Sequence, residues 1–171
     1  MLHLLPTNRK EGRMFTLTCL SYKDKDSIPP KYTHHTIKGQ NISAGFRWED
    51  PPINTKSFAL TIVDPHPVAK NWVHWMVINI PLRIREIPEG ASGSNRMPPG
   101  CKELNNTYGE SGYGGPAPPK GSGAHPYIAT IYALNVESLS LPQEASLRLF
   151  QNAIDGKVIA ERSTTGYYEV E

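Results

Sequence analysis

The sequence predicts a mainly β protein, and three observations carry that prediction. Residues 57–63, 72–79 and 127–134 are short apolar runs rich in β-branched and aromatic side chains, as largely buried strands are. Fourteen Gly and sixteen Pro in 171 residues exceed the ~12% that these two residues ordinarily make up. Such punctuation favours many short elements joined by turns over a helical bundle. The length suits one domain with a sizeable core, so residues 1–171 are expected to form a single unit.

Taken in order, residues 14–20 (Met-Phe-Thr-Leu-Thr-Cys-Leu) form the first expected strand. Residues 21–45 are polar and interrupted by Pro29, Pro30, Gly39 and Gly45, with His34-His35 in the middle. Adjacent histidines on an extended chain point opposite ways, and a solvated turn is the expected setting for this pair. Phe46-Arg47-Trp48 reads as a short strand closed by the Asp50-Pro51-Pro52 turn. The central strand, 57–63, is stopped by Asp64-Pro65-His66-Pro67, because proline lacks an N–H and pushes the preceding residue out of the helical region. The next strand resumes at Trp72, and simple alternation puts Trp72, His74, Met76 and Ile78 on one face.

From Pro81 to Ala124 the chain is dense in Gly, Pro and Ser and shows no period. A loop of that length in a compact domain is functional or disordered. Tyr108, Tyr113 and the stretch Gly112-Tyr113-Gly114-Gly115-Pro116-Ala117-Pro118-Pro119 favour an ordered loop whose glycines let main chain approach a ligand. A strand at 127–134 follows, and His125 and Tyr127 face the same way if extension begins by His125. Ser140-Leu141-Pro142-Gln143 reads as a helix start with a capping box, and a helical period runs on to Gly156. A second short helix is expected over 157–162, the pair forming a lid without chemistry of its own.

A formal charge of +2 and a pI near 8.5, with no cluster of basic residues, argue against a nucleic-acid surface. Cys19 and Cys101 show no zinc spacing and are expected to be free thiols in a reducing compartment. No apolar run reaches membrane-spanning length, and Met1-Leu2-His3-Leu4-Leu5-Pro6 lacks a basic start and a long apolar stretch. The expectation is a soluble, cytoplasmic protein without a membrane span.

The candidate chemistry lies at the ends of the central strands. Asp64 closes one and His74 sits just inside the next, so a carboxylate and an imidazole can share one mouth; a turn-capping Asp and a satisfied core His are the plainer alternative. The glycine-rich loop carries neither the Gly-x-Gly-x-x-Gly nor the Gly-Lys-Ser/Thr signature of a phosphate loop. There is no Gly-x-Ser-x-Gly elbow and no His-x-x-x-His helix.

Three separated pieces together resemble the phosphatidylethanolamine-binding protein family, the Raf-kinase-inhibitor-like group in its prokaryotic type. They are the Asp-Pro-x-Pro turn after Lys56-Ser57-Phe58-Ala59-Leu60, the Trp72-Val73-His74-Trp75 motif, and the Gly112 to Tyr127 stretch with Pro118-Pro119-Lys120-Gly121 before His125-Pro126-Tyr127. Weaker echoes lie in Gly39-Gln40-Asn41-Ile42-Ser43 and in Val158-Ile159-Ala160-Glu161 ahead of Gly166-Tyr167. The resemblance implies a large antiparallel sheet packed on a smaller one, with C-terminal helices. It also implies an anion pocket for phosphate or a phospholipid head group, made by Asp64, Trp72, His74, the backbone of Gly115 to Ala117, His125 and Tyr127. The imidazoles, the phenol and the glycine-flanked amides would be donors, and Asp64 would orient or charge an imidazole.

Two departures mark the rim. The family's turn commonly reads Asp-Pro-Asp-Ala-Pro, whereas Asp64-Pro65-His66-Pro67 is one residue shorter and lacks the second acid. The family's His-Arg-Tyr is His125-Pro126-Tyr127 here. The missing acid and arginine read as former charge partners, with His66, Pro67 and Pro126 left at the rim. The function expected is a non-catalytic binding module for phosphate-bearing ligands or phospholipid head groups, with a kinase as partner on family grounds alone. No cofactor and no resident metal are expected. The alternative is a hydrolase or a metal-dependent enzyme using Asp64, His74 and His125. Against turnover stands the lack of any nucleophile recognisably paired with a base.

Overall fold

A computed structural model describes residues 12–171, so the Met1–Pro6 start lies outside the described residues. Among the described residues, besides two short 3-10 turns (Pro30–Tyr32 and His35–Ile37), eight strands and one α-helix follow in the order β1 (Thr16–Cys19), β2 (Phe46–Glu49), β3 (Ser57–Asp64), β4 (Trp72–Pro81), β5 (Glu86–Ile87), β6 (Lys102–Glu103), β7 (His125–Leu134), α1 (Leu147–Ile154) and β8 (Val158–Tyr168). They form a five-stranded sheet, β6-β4-β3-β7-β8, and a three-stranded sheet, β1-β2-β5. Every strand pair is antiparallel. The fold is thus mainly β, with the large sheet packed on the smaller one.

β3 reads as an unbroken apolar run because both of its faces are covered. Phe58, Leu60 and Ile62 pack toward the small sheet with Phe46, Trp48, Trp75, Val77 and Ile131. Ala59 faces the other way, into a second cluster that joins Met76, Ile78, Leu104 and Leu134 to Phe150 and Ile154 of α1. Burying a large apolar side chain contributes ~1.5–3 kcal/mol. The inter-sheet layer therefore holds the fold, and α1, which buries Phe150 and Ile154, serves as a cover for the outer face.

The C-terminal region departs from expectation in two ways. The helix begins at Leu147, capped by the Ser146 hydroxyl, which accepts from the Leu149 amide at 3.1 Å. Ser140 does not cap it, because Gln143 is recruited elsewhere: its amide donates to the Glu103 carbonyl at 2.7 Å and to Asn105 at 3.1 Å. Residues 157–162 are not a second helix. From Val158 on they are the first part of β8, which pairs with β7 along its whole length, from Leu134↔Val158 to His125↔Tyr168. β7 would otherwise present a ten-residue open edge, and β-branched Val158, Ile159, Thr164 and Thr165 suit a strand.

The long connection from Pro81 to Ala124 contains β5 and β6 and is otherwise irregular. Cys19 and Cys101 are free thiols. No helix among the described residues is long and apolar enough to cross a membrane.

Candidate functional site

The site is made possible by a break in the β3–β4 register. Ile62 pairs with Trp75 and Val63 with Val73, which leaves His74 opposite no residue. Such a bulge places one extra residue in a strand and re-aims its neighbours. His74 and Trp75 both turn toward the inter-sheet side, where His74 meets the Tyr127 ring edge-on at 4.9 Å and Trp75 joins the core. Trp72 and His74 are therefore on the opposite side from Met76 and Ile78, which lie under α1. Plain alternation had all four on one face.

At the end of β3, Asp64 is 2% exposed and both its carboxylate oxygens are engaged. Oδ1 accepts the His66 amide at 2.9 Å, and Oδ2 accepts from His125 Nδ1 at 2.6 Å. The other nitrogen of His125, Nε2, is 2.9 Å from the Ser122 hydroxyl. The His66 ring lies on that of His125, with centroids 3.8 Å apart and planes 16° from parallel. His125 is thus held at both nitrogens and on one face, and it is 1% exposed.

His74 is buried differently. Its Nδ1 is 2.7 Å from the Gly114 carbonyl, which can only accept, so Nδ1 carries the proton and Nε2 is bare in the neutral ring. Burial pushes its pKa down to about 4, against the opposing pull of the Gly114 hydrogen bond and the Asp64 charge. At neutral pH it is an uncharged acceptor, not the cationic donor expected from the sequence. Beside it, Trp72 packs edge-on against Tyr108 at 5.1 Å, and its buried Nε1–H has no acceptor among the described residues. Burial pushes the Tyr127 and Tyr108 phenols far up, so both remain protonated.

The glycine-rich loop is ordered by protein contacts. A Cβ at Gly115 would lie 2.1 Å from the Tyr32 carbonyl oxygen, and one at Gly114 would lie 2.5 Å from the Tyr108 ring. The Gly115 amide donates to Asn41 at 2.7 Å and the Gly114 amide to the His74 carbonyl at 2.9 Å. Tyr108 donates its hydroxyl proton to the Gly115 carbonyl at 2.8 Å. The glycines thus admit neighbouring main chain, and their amides are spent within the protein. Between Pro116 and Pro119 only Ala117 has an amide to offer a ligand.

Asp64, Trp72, His74, Ala117, His125 and Tyr127 line one cavity of about 260 Å³. Gly115 is set behind its wall, and the rim positions His66, Pro67 and Pro126 do not line it either. His66 instead stacks on His125, while Pro126 pairs with Tyr167 in the sheet. The sequence reading missed Thr36, Val68, Ala69 and Tyr108 in the lining, and Ser122 against His125. It also placed His34 in a solvated turn, whereas His34 is 6% exposed and stacks on Tyr108 at 4.1 Å; His35 is the exposed one. The usable signal was the aromatic Tyr108 in an otherwise small-residue loop. Among the described residues no three His, Cys, Asp or Glu side chains are grouped to hold a metal ion. The Ser122 hydroxyl donates to the Pro119 carbonyl at 2.5 Å and lies 2.9 Å from His125 Nε2, a contact the sequence did not announce.

The sequence profile of the family described as phosphatidylethanolamine-binding protein matches residues 20–169. A UPF0098 protein of Aquifex aeolicus is 37% identical over 158 residues, covering 92% of this chain and 90% of its own. UPF0098 protein YbhB of Escherichia coli is 39% identical over 128 residues, covering 72% and 80%. Among solved structures, Escherichia coli YbcL, described as a new member of the mammalian PEBP family, superposes with a TM-score of 0.86 at 30% identity, over 92% of this chain and 99% of that one. A putative family homologue from Chlamydia trachomatis, CT736, superposes with a TM-score of 0.77 at 31% identity, over 92% and 98%. None of these names gives a catalytic activity.

Proposed function

This chain belongs to the phosphatidylethanolamine-binding protein family, and from that premise we propose that it binds a small phosphate-bearing molecule or phospholipid head group in the cavity between β3, β4, β7 and the 113–119 loop. The observation that carries this reading is the Trp72 indole N–H, buried on a cavity-lining residue and lacking an acceptor. An unpaired buried donor costs ~1–3 kcal/mol, which a ligand oxygen would recover. Val68, Ala69, Pro118 and Pro119 supply an apolar wall for the rest of the ligand.

The polar atoms favour one protonation state of that ligand. No Lys or Arg is in the described lining, and the one carboxylate, Asp64, is occupied by His125. His74 Nε2 offers a lone pair at neutral pH. A singly protonated phosphoryl group supplies what is needed, a P–OH for His74 and bare oxygens for Trp72 and the Ala117 amide. A fully ionised phosphate would set a second charge against an acceptor.

Calorimetry with inorganic phosphate, phosphorylethanolamine and methyl sulfate tests this. Affinity for phosphorylethanolamine should fall as pH rises through ~6, where a phosphate monoester loses its second proton. Methyl sulfate has no proton to lose there, and its affinity should stay level over the same range. Equal pH dependence for the two would overturn the assignment of His74 as acceptor. Modulation of a partner kinase rests on the family resemblance alone.

A further inference from the structure

We propose that Ser122 is a nucleophile, activated by His125 and Asp64, and that the protein forms a covalent acyl intermediate with small carboxylic esters. Three contacts define the relay: Asp64 Oδ2 to His125 Nδ1 at 2.6 Å, His125 Nε2 to Ser122 Oγ at 2.9 Å, and the His66 amide to Asp64 Oδ1 at 2.9 Å. The carboxylate and the imidazole are 2% and 1% exposed. A carboxylate bonded to Nδ1 fixes the tautomer whose Nε2 lone pair faces the hydroxyl, as nucleophilic catalysis by serine requires. The stacked ring of His66 covers one face of that imidazole and keeps it in register.

Ser122 Oγ donates its proton to the Pro119 carbonyl at 2.5 Å, and the Ser122 amide donates to the same oxygen at 3.1 Å. Attack therefore requires the serine side chain to rotate away from that carbonyl so that its proton faces His125 Nε2. Ser122 does not itself line the cavity, but both residues that its hydroxyl touches, Pro119 and His125, do. The serine is half-buried, between Gly121 and Gly123 with φ of +79° and +83°, and no atom lies within 4 Å of where either would carry a Cβ. The approach to it is open. The Gly123 amide, next after the serine, has no acceptor among the described residues and is the donor available to a developing oxyanion.

Ser122 Oγ bonds to the ester carbonyl carbon and its proton passes to His125 Nε2. The carbon–oxygen bond to the alcohol breaks, and the alcohol departs with that proton. Water then attacks the acyl carbon, giving a proton to Nε2, and Oγ leaves and takes it back as the carboxylic acid is released. The acyl group lies against the apolar side of the cavity, near Val68, Ala69, Pro118 and Pro119, and a volume of about 260 Å³ limits it to short chains.

A fluorophosphonate tests the nucleophile without knowledge of the natural substrate. Oγ bonds to phosphorus, fluoride leaves, and the proton passes through Nε2 to solvent. The full chain should gain one adduct by intact mass, mapped to the peptide containing Ser122. Ser122→Ala, which removes one loop hydroxyl and should keep the native circular dichroism, should gain none and should lose p-nitrophenyl acetate turnover. His125→Gln should slow labelling by about 10²-fold or more, the general-base contribution. Absence of an adduct, an adduct that persists in Ser122→Ala, or equal labelling of heat-unfolded protein would each overturn the proposal.

Discussion

His74 and His125 are both almost wholly buried and border the same cavity, yet their surroundings make them opposites. His125 has an anionic partner on one nitrogen and a hydroxyl on the other. His74 has a neutral carbonyl on one nitrogen, and desolvation then forces its pKa down to about 4. Burial is common to both, so burial does not decide what an imidazole does. The charge of the group at Nδ1 decides it: a carboxylate makes a relay, and a carbonyl makes a fixed acceptor.

The largest expected effect comes from removing that carboxylate. Asp64→Ala strips His125 and the His66 amide of their acceptors and should cost ~3–5 kcal/mol in urea denaturation at pH 7, the scale of a broken buried pair. A loss no larger than the ~1 kcal/mol of an exposed pair would mean that the two histidines are not so different after all.

The next effect isolates His74. Between its ordinary value of 6.5 and about 4, the unfolded chain takes up a proton that the native state refuses, so stability falls as pH drops through that window. The loss reaches about 3 kcal/mol at the lower end. His74→Gln retains an amide donor for Gly114 and removes the titration. The difference in unfolding free energy between wild type and variant should therefore shrink from pH 7 to pH 4.5, and a constant difference would mean that His74 charges freely in the native state.

The smallest effect concerns the rim. His66→Asp and Pro126→Arg would restore the pair of charges seen in the family. His66 stacks on His125, whereas Pro126 alternates to the opposite face of β7. The two changes should therefore add to within ~0.5 kcal/mol in a double-mutant cycle. Recovery in the double variant would show an arginine reaching round the strand, and with it a coupled loss of the two charges.

The strands at 57–63, 72–79 and 127–134 were legible because apolar, β-branched runs between proline turns have few other uses, and they fall within β3, β4 and β7. The family was legible from three motifs in order. β8 was not, because Val158-Ile159-Ala160-Glu161 is locally ambiguous and only the open edge of β7 makes it a strand. The contact of Asp64 with His125 spans 61 residues of sequence; the resemblance put both in one pocket but did not say which imidazole the carboxylate would hold. Ser122 escaped for a related reason: in a Gly-Ser-Gly turn a serine looks like punctuation until the imidazole three residues on folds back to it. Gly115 was read as room for a ligand, but the main chain it admits belongs to Tyr32 and Thr33.

The extra residue in β4 acts as a change of phase. Ahead of it Trp72 faces the inter-sheet side, and just beyond it Trp75 and Val77 do, until a second shift in the ladder returns the even-numbered Ile80 to that side. Deleting that residue would leave a more regular ladder and send the Trp72 indole to the helix side, away from the cavity. The sandwich would survive as a fold while its chamber lost one wall.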